Sequence, residues 1–181
     1  MIVRESYRCK GIIDNLLSFG RISDGSAVEV DVNAILLEII ELLRHQQGYR
    51  QIRVDTDLKK DLPHVLGDPS GLRQVCMNLL VNAHQAITES GLVELSTDTV
   101  DDTMVSIIIR DTGCGIAQDM IDRIWDPFFT TKEVGKGIGL GLALTYNIVK
   151  RHGGDIQVES RIGEGSRFTV LLPVWRRHAS S

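Results

Sequence analysis

The sequence predicts an α+β two-layer sandwich in which helices cover one face of a sheet of about five strands. Two observations support this class. Several short segments alternate apolar and polar residues as strands do, and longer segments repeat apolar residues with the 3.6-residue period of helices. Hydrophobic residues make up 43% of the 181 residues, which suffices for one core and a small appendage.

Four segments have helical apolar spacing. The first carries an apolar stripe within an arc of roughly 160° and is followed by a polar, glycine-containing linker, so it should be an amphipathic helix outside the main domain. Asp31 is a suitable N-cap for the second helix, and Asp68 or Ser70 for the third. The predicted helices comprise about residues 2–19, 31–48, 68–89 and 139–152.

Five other segments alternate as strands do, and residues 62–67 are predicted to be a connector between elements. Asp111 ends one of these strands and has the same parity as the apolar residues before it. Its carboxylate should therefore extend from a core-facing row. The predicted strands comprise about residues 51–58, 91–99, 104–111 and two segments between Gly154 and Pro173.

Composition excludes several classes of function. The net charge of −4 and the pI near 5.7 argue against nucleic-acid binding, because a duplex requires clustered basic residues and those of this chain are scattered. Cys9, Cys76 and Cys114 form no Cys-x-x-Cys pair and are interpreted as plain thiols. No apolar run approaches the roughly 18 residues of a membrane helix, so we expect a cytoplasmic domain.

Four short blocks of distinctive sequence follow one another within residues 78–143. The first lies on the third predicted helix, where Asn78, Asn82, Gln85 and Glu89 share one side at spacings of four, three and four. Amide oxygens are neutral donors that suit Mg²⁺ shared with substrate phosphates. For this helix considered alone, a solvated polar face is the more ordinary interpretation.

The second block begins with Asp111 at a strand end and continues with Gly113 and Gly115. A charged carboxylate there could accept a hydrogen bond from an exocyclic amine such as adenine N6, while glycines allow backbone to approach a flat ring. Asp-x-Gly-x-Gly alone is as typical of a turn.

The last two blocks combine an apolar Trp125/Phe128/Phe129 cluster with a glycine run that leads into a helix N-terminus. Free N–H groups and the helix dipole favour anions there, and the lysines that flank the run could reach phosphate oxygens. The aromatic cluster should anchor a loop segment to the domain. The glycines and lysines are Gly135, Gly137, Gly139, Gly141, Lys132 and Lys136.

In this order and at these separations, the blocks resemble the ATP-binding catalytic domain of two-component sensor histidine kinases. That domain belongs to the GHKL superfamily, which also contains gyrase, Hsp90 and MutL ATPases. The resemblance extends over residues 29–174 and implies the Bergerat ATP-binding fold with a mixed sheet. The Asn-Ala-x-Gln-Ala form resembles the nitrogen-regulator subgroup. The matching motifs are the N box at 78–87, the G1 box at 111–116, the F box at 126–132 and the G2 box at 135–143.

The resemblance implies a role for each box. Asn82, with Asn78, would hold Mg²⁺ against the triphosphate, and Asp111 would bind adenine N6. A lid segment, residues 117–138, would cover the nucleotide. Many kinases of the family carry Lys where this chain has Gln85, so direct contact of that side chain with phosphate is not expected. The implied ATP-binding residues are Asn78, Asn82, Asp111, Gly113, Gly115, Ile116, Thr131, Lys132, Lys136, Gly137, Gly139, Leu140 and Gly141.

The first helix resembles the second helix of the dimerisation and phosphotransfer hairpin. None of the five histidines lies in a His-Glu/Asp-x-x-x-Pro context, so the phosphoacceptor is expected on a hairpin outside this sequence and self-phosphorylation is not expected. The implied partners are that hairpin and a response regulator receiver domain, with a weak homodimer through residues 2–19. The predicted divisions are 1–22 for the partial hairpin, 23–28 for a linker, 29–174 for the catalytic domain and 175–181 for a tail.

Two other functions are compatible with the same motifs. One is a nucleotide-sensing module without phosphoryl transfer. The other is a serine kinase or ATPase of the same superfamily, such as an anti-sigma factor. The F box and the hairpin-like first helix favour the histidine kinase.

Overall fold

The computed structural model describes residues 27–44, 52–132 and 138–176. The predicted helix 2–19 lies outside these ranges, and so do the end of the predicted helix 31–48, Lys136 and Gly137. In chain order, the described elements are β1 (Val28–Val30), α1 (Val32–Arg44), β2 (Ile52–Leu58), β3 (Val65–Gly67), α2 (Pro69–Ala86), β4 (Gly91–Val100), β5 (Met104–Asp111), α3 (Gly141–Arg151), β6 (Asp155–Arg161) and β7 (Gly165–Pro173).

The main sheet has five strands in the order β2-β4-β5-β7-β6. β2 pairs parallel with β4 and every other neighbouring pair is antiparallel, so the sheet is mixed as predicted. β1 and β3 form a separate two-stranded antiparallel sheet. The sequence analysis missed both of these strands and predicted a connector at 62–67. Three residues are too few for an alternating pattern to be recognised.

One face of the main sheet forms the core with the helices. Leu95, Ile109 and Phe168 are cross-strand neighbours on this face, and each is at most 6% exposed. α1, α2 and α3 contribute their apolar stripes to the same buried cluster. On the opposite face, the exposed Arg110 and Arg167 are neighbours in register. The two-layer α+β prediction is therefore confirmed.

The ends of α2 and α3 determine where the polar side chains of these helices lie. Asp68 is the N-cap of α2 and its carboxylate accepts a hydrogen bond from the N–H of Ser70 at 3.0 Å, as predicted. α2 ends at Ala86 rather than near residue 89, because Ile87 is already extended. α3 begins at Gly141 rather than Gly139, since Gly139 has a φ of +73° that a helix cannot contain.

His152 connects the end of α3 to the beginning of α2. Its Nδ1 lies 2.7 Å from the carbonyl oxygen of Ile148, and its Nε2 accepts the N–H of Asp68 at 3.0 Å. Because a carbonyl only accepts and an amide N–H only donates, the ring must be the neutral Nδ1–H tautomer. A Cβ added at Gly67 would lie 2.4 Å from the ring, so the absence of a side chain there gives the imidazole its space.

We predict that His152→Ala lowers the free energy of unfolding by about 1–3 kcal/mol, because the Asp68 N–H and the Ile148 carbonyl each lose a partner. Urea denaturation measures this loss. His64→Ala is the matched control, since His64 is an exposed histidine in an ion pair with Glu29 and its removal should cost about 0–1 kcal/mol. Equal losses in the two variants would contradict the bridging role of His152.

Candidate functional site

A cleft of about 440 Å³ lies between α2, the start of α3, the end of β5, the start of β7 and part of the lid segment. It brings together most of the residues that the motifs predict. Gly113 does not line it, and Lys136 and Gly137 lie outside the described residues. The predicted residues that line the cleft are Asn78, Asn82, Asp111, Gly115, Ile116, Thr131, Lys132, Gly139, Leu140 and Gly141.

Asp111 is the most buried charged group of the cleft, at 3% exposure. Its position at the end of β5 continues the buried row of that strand, as its parity predicts. The N–H of Gly113 donates to its Oδ1 at 2.8 Å. Burial raises the pKa of Asp111 above the usual range of an aspartate, although N–H groups of Gly113 and Ser166 oppose the shift. The carboxylate therefore retains unused acceptor capacity in a largely water-excluded position.

The loop after Asp111 is held against protein backbone on both sides. The N–H of Cys114 donates to the carbonyl oxygen of Ala86 at 2.9 Å, which fixes the loop to the end of α2. Gly115 has a φ of +71°, and a Cβ there would lie 1.9 Å from the carbonyl oxygen of Arg161. Gly115 is thus required by its contact with the β6–β7 turn. This close contact shapes the wall of the cleft around Asp111.

The two asparagines of α2 have different environments. The side-chain NH₂ of Asn78 donates to the Gly141 carbonyl at 3.0 Å, and its oxygen accepts from Gln74 at 2.7 Å. Asn78 therefore ties α2 to the first residue of α3. The oxygen of Asn82 instead accepts from the ammonium of Lys132 at 3.1 Å.

Gln85 completes the polar strip of α2 inside the cleft. Its side-chain oxygen also accepts a hydrogen bond from the Lys132 ammonium. Glu89, the fourth predicted member of the strip, lies beyond the end of α2 and is exposed. The prediction of a shared face is therefore wrong for Glu89, because the helix ends before reaching it.

The glycine run contacts the lid segment before it enters α3. The N–H of Phe128 donates to the carbonyl oxygen of Gly139 at 2.9 Å. A Cβ at Gly139 would lie 2.4 Å from the Phe128 backbone, so only glycine allows this approach. Leu140 follows as the N-cap position of α3 and is buried. The unpaired N–H groups of the first turn of α3 consequently lie at the cleft.

Two of the three aromatic residues anchor the lid segment to the domain. The ring centroid of Trp125 lies 5.7 Å from that of Tyr146 and 6.2 Å from that of Phe168. Phe129 packs partly buried beneath the Arg123 guanidinium. Phe128 is 64% exposed with a φ of +68°, so the prediction that it belongs to this anchor is wrong.

Sequence reasoning missed several residues of the site. Ser166 is the cross-strand neighbour of Asp111. The hydroxyl of Thr145 accepts a hydrogen bond from the Asn78 amide at 3.3 Å and donates one to the Gly141 carbonyl. The position of Thr145 four residues after Gly141 could have indicated its place on the same side of α3. The position of Ser166 depends on strand pairing between β5 and β7, which a local pattern does not reveal.

Apart from the Asp111 carboxylate, the side-chain oxygen atoms that line the cleft belong to neutral amides and hydroxyls. Within the described ranges, no group of three or more His, Cys, Asp or Glu side chains could hold a metal ion. Burial raises the pKa of the Cys76 thiol to about 12. Cys114 is exposed, and neither cysteine forms a disulfide. A divalent cation would therefore require oxygen atoms from a ligand in addition to those of the amides.

Comparison with known proteins establishes the class of the domain. Residues 67–176 match the family described as histidine kinase-, DNA gyrase B-, and HSP90-like ATPases. The sensor histidine kinase ZraS of Escherichia coli (strain K12) is 37% identical over 174 residues, covering 96% of this chain and 37% of ZraS. The histidine-protein kinase AtoS of the same strain is 38% identical over 176 residues, covering 96% of this chain and 28% of AtoS.

Solved structures agree with this class. Full-length ShkA in complex with AMPPNP superimposes with a TM-score of 0.80 at 29% identity, covering 96% of this chain and 37% of ShkA. The mycobacterial sensor histidine kinase MprB gives a TM-score of 0.73 at 26% identity, covering 82% of this chain and 97% of that structure. The chain belongs to this ATPase family, as an ATP-binding catalytic domain of the sensor histidine kinase type, which confirms the resemblance seen in its sequence.

The chain covers only part of the length of these relatives. It spans little more than a third of ZraS and less than a third of AtoS. No helix within the described ranges has both the length and the hydropathy needed to cross a membrane.

We predict that Asp111→Asn changes the pH dependence of stability. Because burial raises the pKa of Asp111 in the folded state, its ionised form costs free energy of folding above that pKa, and this cost decreases as the pH falls from the raised pKa to the ordinary pKa of an aspartate. The variant should therefore be more stable than the parent near neutral pH, and this difference should decrease as the pH falls through the raised pKa. Urea denaturation over a pH series measures it.

The control for this prediction is Asp101→Asn, where the sign is opposite. Hydrogen bonds from Thr103 lower the pKa of Asp101, so its ionised form contributes stability that is lost as the pH falls through that lowered pKa. A stability difference for Asp111→Asn that stays constant with pH would contradict a raised pKa at Asp111.

Proposed function

We propose that this domain binds Mg-ATP in the cleft and donates the γ-phosphoryl group to a histidine on a separate hairpin. The observation that carries the proposal is the presence, in one cleft, of a buried carboxylate at Asp111 and of amide oxygens and an ammonium at Asn82 and Lys132. The names of the relatives, sensor histidine kinases, support the reaction class.

The Asp111 end of the cleft suits adenine. The exocyclic N6 amine would donate to the carboxylate, whereas guanine presents an O6 acceptor at the corresponding position, which a carboxylate disfavours. Gly113 supplies the N–H that orients the carboxylate, and Gly115 and Ile116 form the wall beside it. Desolvation strengthens this hydrogen bond because water competes poorly there.

The other end suits a triphosphate. Asn82 would hold Mg²⁺ together with the phosphates, and the Asn78 oxygen has a second lone pair for the same purpose although Gln74 already donates to it. When bound, the cation would neutralise charge on the phosphates. The N–H groups at the start of α3 favour phosphate oxygens. The residues proposed for this end also include Thr131, Lys132, Lys136, Gly137, Gly139, Leu140 and Gly141.

In the transfer, an imidazole nitrogen of the acceptor attacks the γ-phosphorus and the bond to the bridging oxygen of ADP breaks. The protein contributes by positioning and by charge neutralisation, which dominate catalysis of phosphoryl transfer. Among the described residues, no histidine lines the cleft. His152 is occupied between α2 and α3. The acceptor should therefore come from a hairpin of the parent kinase, and a response regulator receiver domain should take the phosphoryl group onward on the cytoplasmic side.

The decisive experiment supplies that acceptor in trans. The chain, magnesium and ATP labelled on the γ-phosphate are mixed with a two-helix hairpin whose second helix is residues 2–19 and whose first helix carries a histidine followed by an acidic residue. We expect acid-labile label on the hairpin and no label on the chain alone. A hairpin with Gln in place of that histidine is the control and should remain unlabelled.

Two outcomes would contradict the proposal. Intact binding of ATP with persistent absence of label would favour a nucleotide-sensing module. Acid-stable phosphoserine on the hairpin would favour a serine kinase of the same superfamily.

We also predict separable effects of the two ends on nucleotide affinity. Asp111→Ala should remove the preference for Mg-ATP over Mg-GTP, and Asn82→Ala should weaken Mg-ATP about tenfold or more while leaving magnesium-free binding nearly unchanged. Calorimetric titration measures both. Asp102→Ala and Asn147→Ala are the matched controls, because both residues are exposed and neither lines the cleft. A parent-like affinity and selectivity in either test variant would refute its assignment.

A further inference from the structure

The Lys132 ammonium connects the lid segment to α2. It donates to the side-chain oxygens of Asn82 and Gln85, which are three residues apart and therefore lie on one side of the helix. The lysine side chain is half-buried, and this burial lowers the pKa of Lys132. Its two side-chain partners are both neutral amides.

An ammonium bound only by amides keeps its charge available for an anion. None of the ion pairs among the described residues involves Lys132. Among the described residues that line the cleft, Lys132 is the one basic side chain and Asp111 the one acidic side chain. The two ends of the cleft therefore carry opposite charges, a negative group at the end of β5 and a positive group beside α2.

The side-chain oxygen of Asn82 cannot bind the Lys132 ammonium and a metal ion at the same time. Magnesium takes oxygen ligands at about 2.0–2.1 Å, and a cation this close to the Asn82 oxygen would repel an ammonium that remains 3.1 Å from the same atom. Lys132 must then leave Asn82. A lysine has three N–H donors, so one can stay on Gln85 while the others turn to phosphate oxygens.

We infer that Gln85 is a positioning residue that holds Lys132 over the terminal phosphate, and that Lys132 occupies Asn82 until the metal and triphosphate replace it there. The inference rests on the proposed function. Gln85 then acts by holding Lys132 in place and makes no contact with phosphate itself. The inference also makes the position of Lys132 responsive to the number of phosphates, because only a nucleotide that reaches Lys132 draws the lysine away from Asn82.

The test is the ratio of affinities for Mg-AMPPNP and Mg-ADP, measured by calorimetry on the full chain. Lys132→Met and Gln85→Met should each reduce the preference for Mg-AMPPNP about tenfold, which is the usual effect of losing one charged hydrogen bond. The double variant should be no worse than Lys132→Met alone, because Gln85 acts only through the lysine. Lys59→Met and Gln157→Met, whose parent residues lie outside the cleft, should leave the ratio unchanged.

Moving the positive charge from position 132 to position 85 tests whether Gln85 acts by positioning the lysine or only by supporting the structure. In Gln85→Lys combined with Lys132→Met, an ammonium on α2 should reach the same region, and the preference for Mg-AMPPNP should return to within about threefold of the parent. A merely structural role of Gln85 predicts no such recovery.

The outcomes distinguish this inference from the proposed function. If the parent chain binds neither nucleotide, the proposed function fails and the inference fails with it. If the parent binds Mg-AMPPNP but Gln85→Met keeps the parent ratio, or the two single effects multiply in the double variant, the inference alone is overturned.

Discussion

A carboxylate buried at the end of a central strand constrains much of this domain. Asp111 continues the apolar row of β5 and is 3% exposed, so its charge needs N–H donors, which Gly113 of the following loop and Ser166 of β7 provide. That loop must turn sharply enough for Gly113 to donate and for Gly115 to pass the β6–β7 turn. The buried charge is costly for folding. A ligand that donates a hydrogen bond to the carboxylate, as proposed for adenine N6, would offset this cost.

The other end of the cleft is assembled from contacts between elements that are far apart in sequence. Asn78 fixes the beginning of α3 to α2, while Gly139 holds the lid segment through the Phe128 backbone. This end is thereby built on two helices that pack in one core, with residues 129–132 of the loop beside them. Because the amide partners of Lys132 belong to α2, the occupancy of this end and the position of the Lys132 side chain should be coupled.

Local sequence patterns predicted the elements with strong periodicity. They failed for very short strands and for contacts between residues that are far apart in sequence. The five-stranded sheet, the Asp68 cap and the buried parity of Asp111 could be predicted, since each depends on neighbouring residues. The short β1–β3 pair could not be predicted, because a strand of three residues is too short to show an alternating pattern. The link from Lys132 to Gln85 could not either, since the order of residues alone does not place a loop end against a helix.

The central claim is that adenine lies at Asp111 and the triphosphate at Asn82. A crystal structure of the chain with Mg-AMPPNP bound tests it most directly. We expect N6 of the base to lie within hydrogen-bonding distance of the Asp111 carboxylate and the metal to be liganded by the Asn82 oxygen. A nucleotide found outside this cleft, or one whose base points away from Asp111, would contradict it.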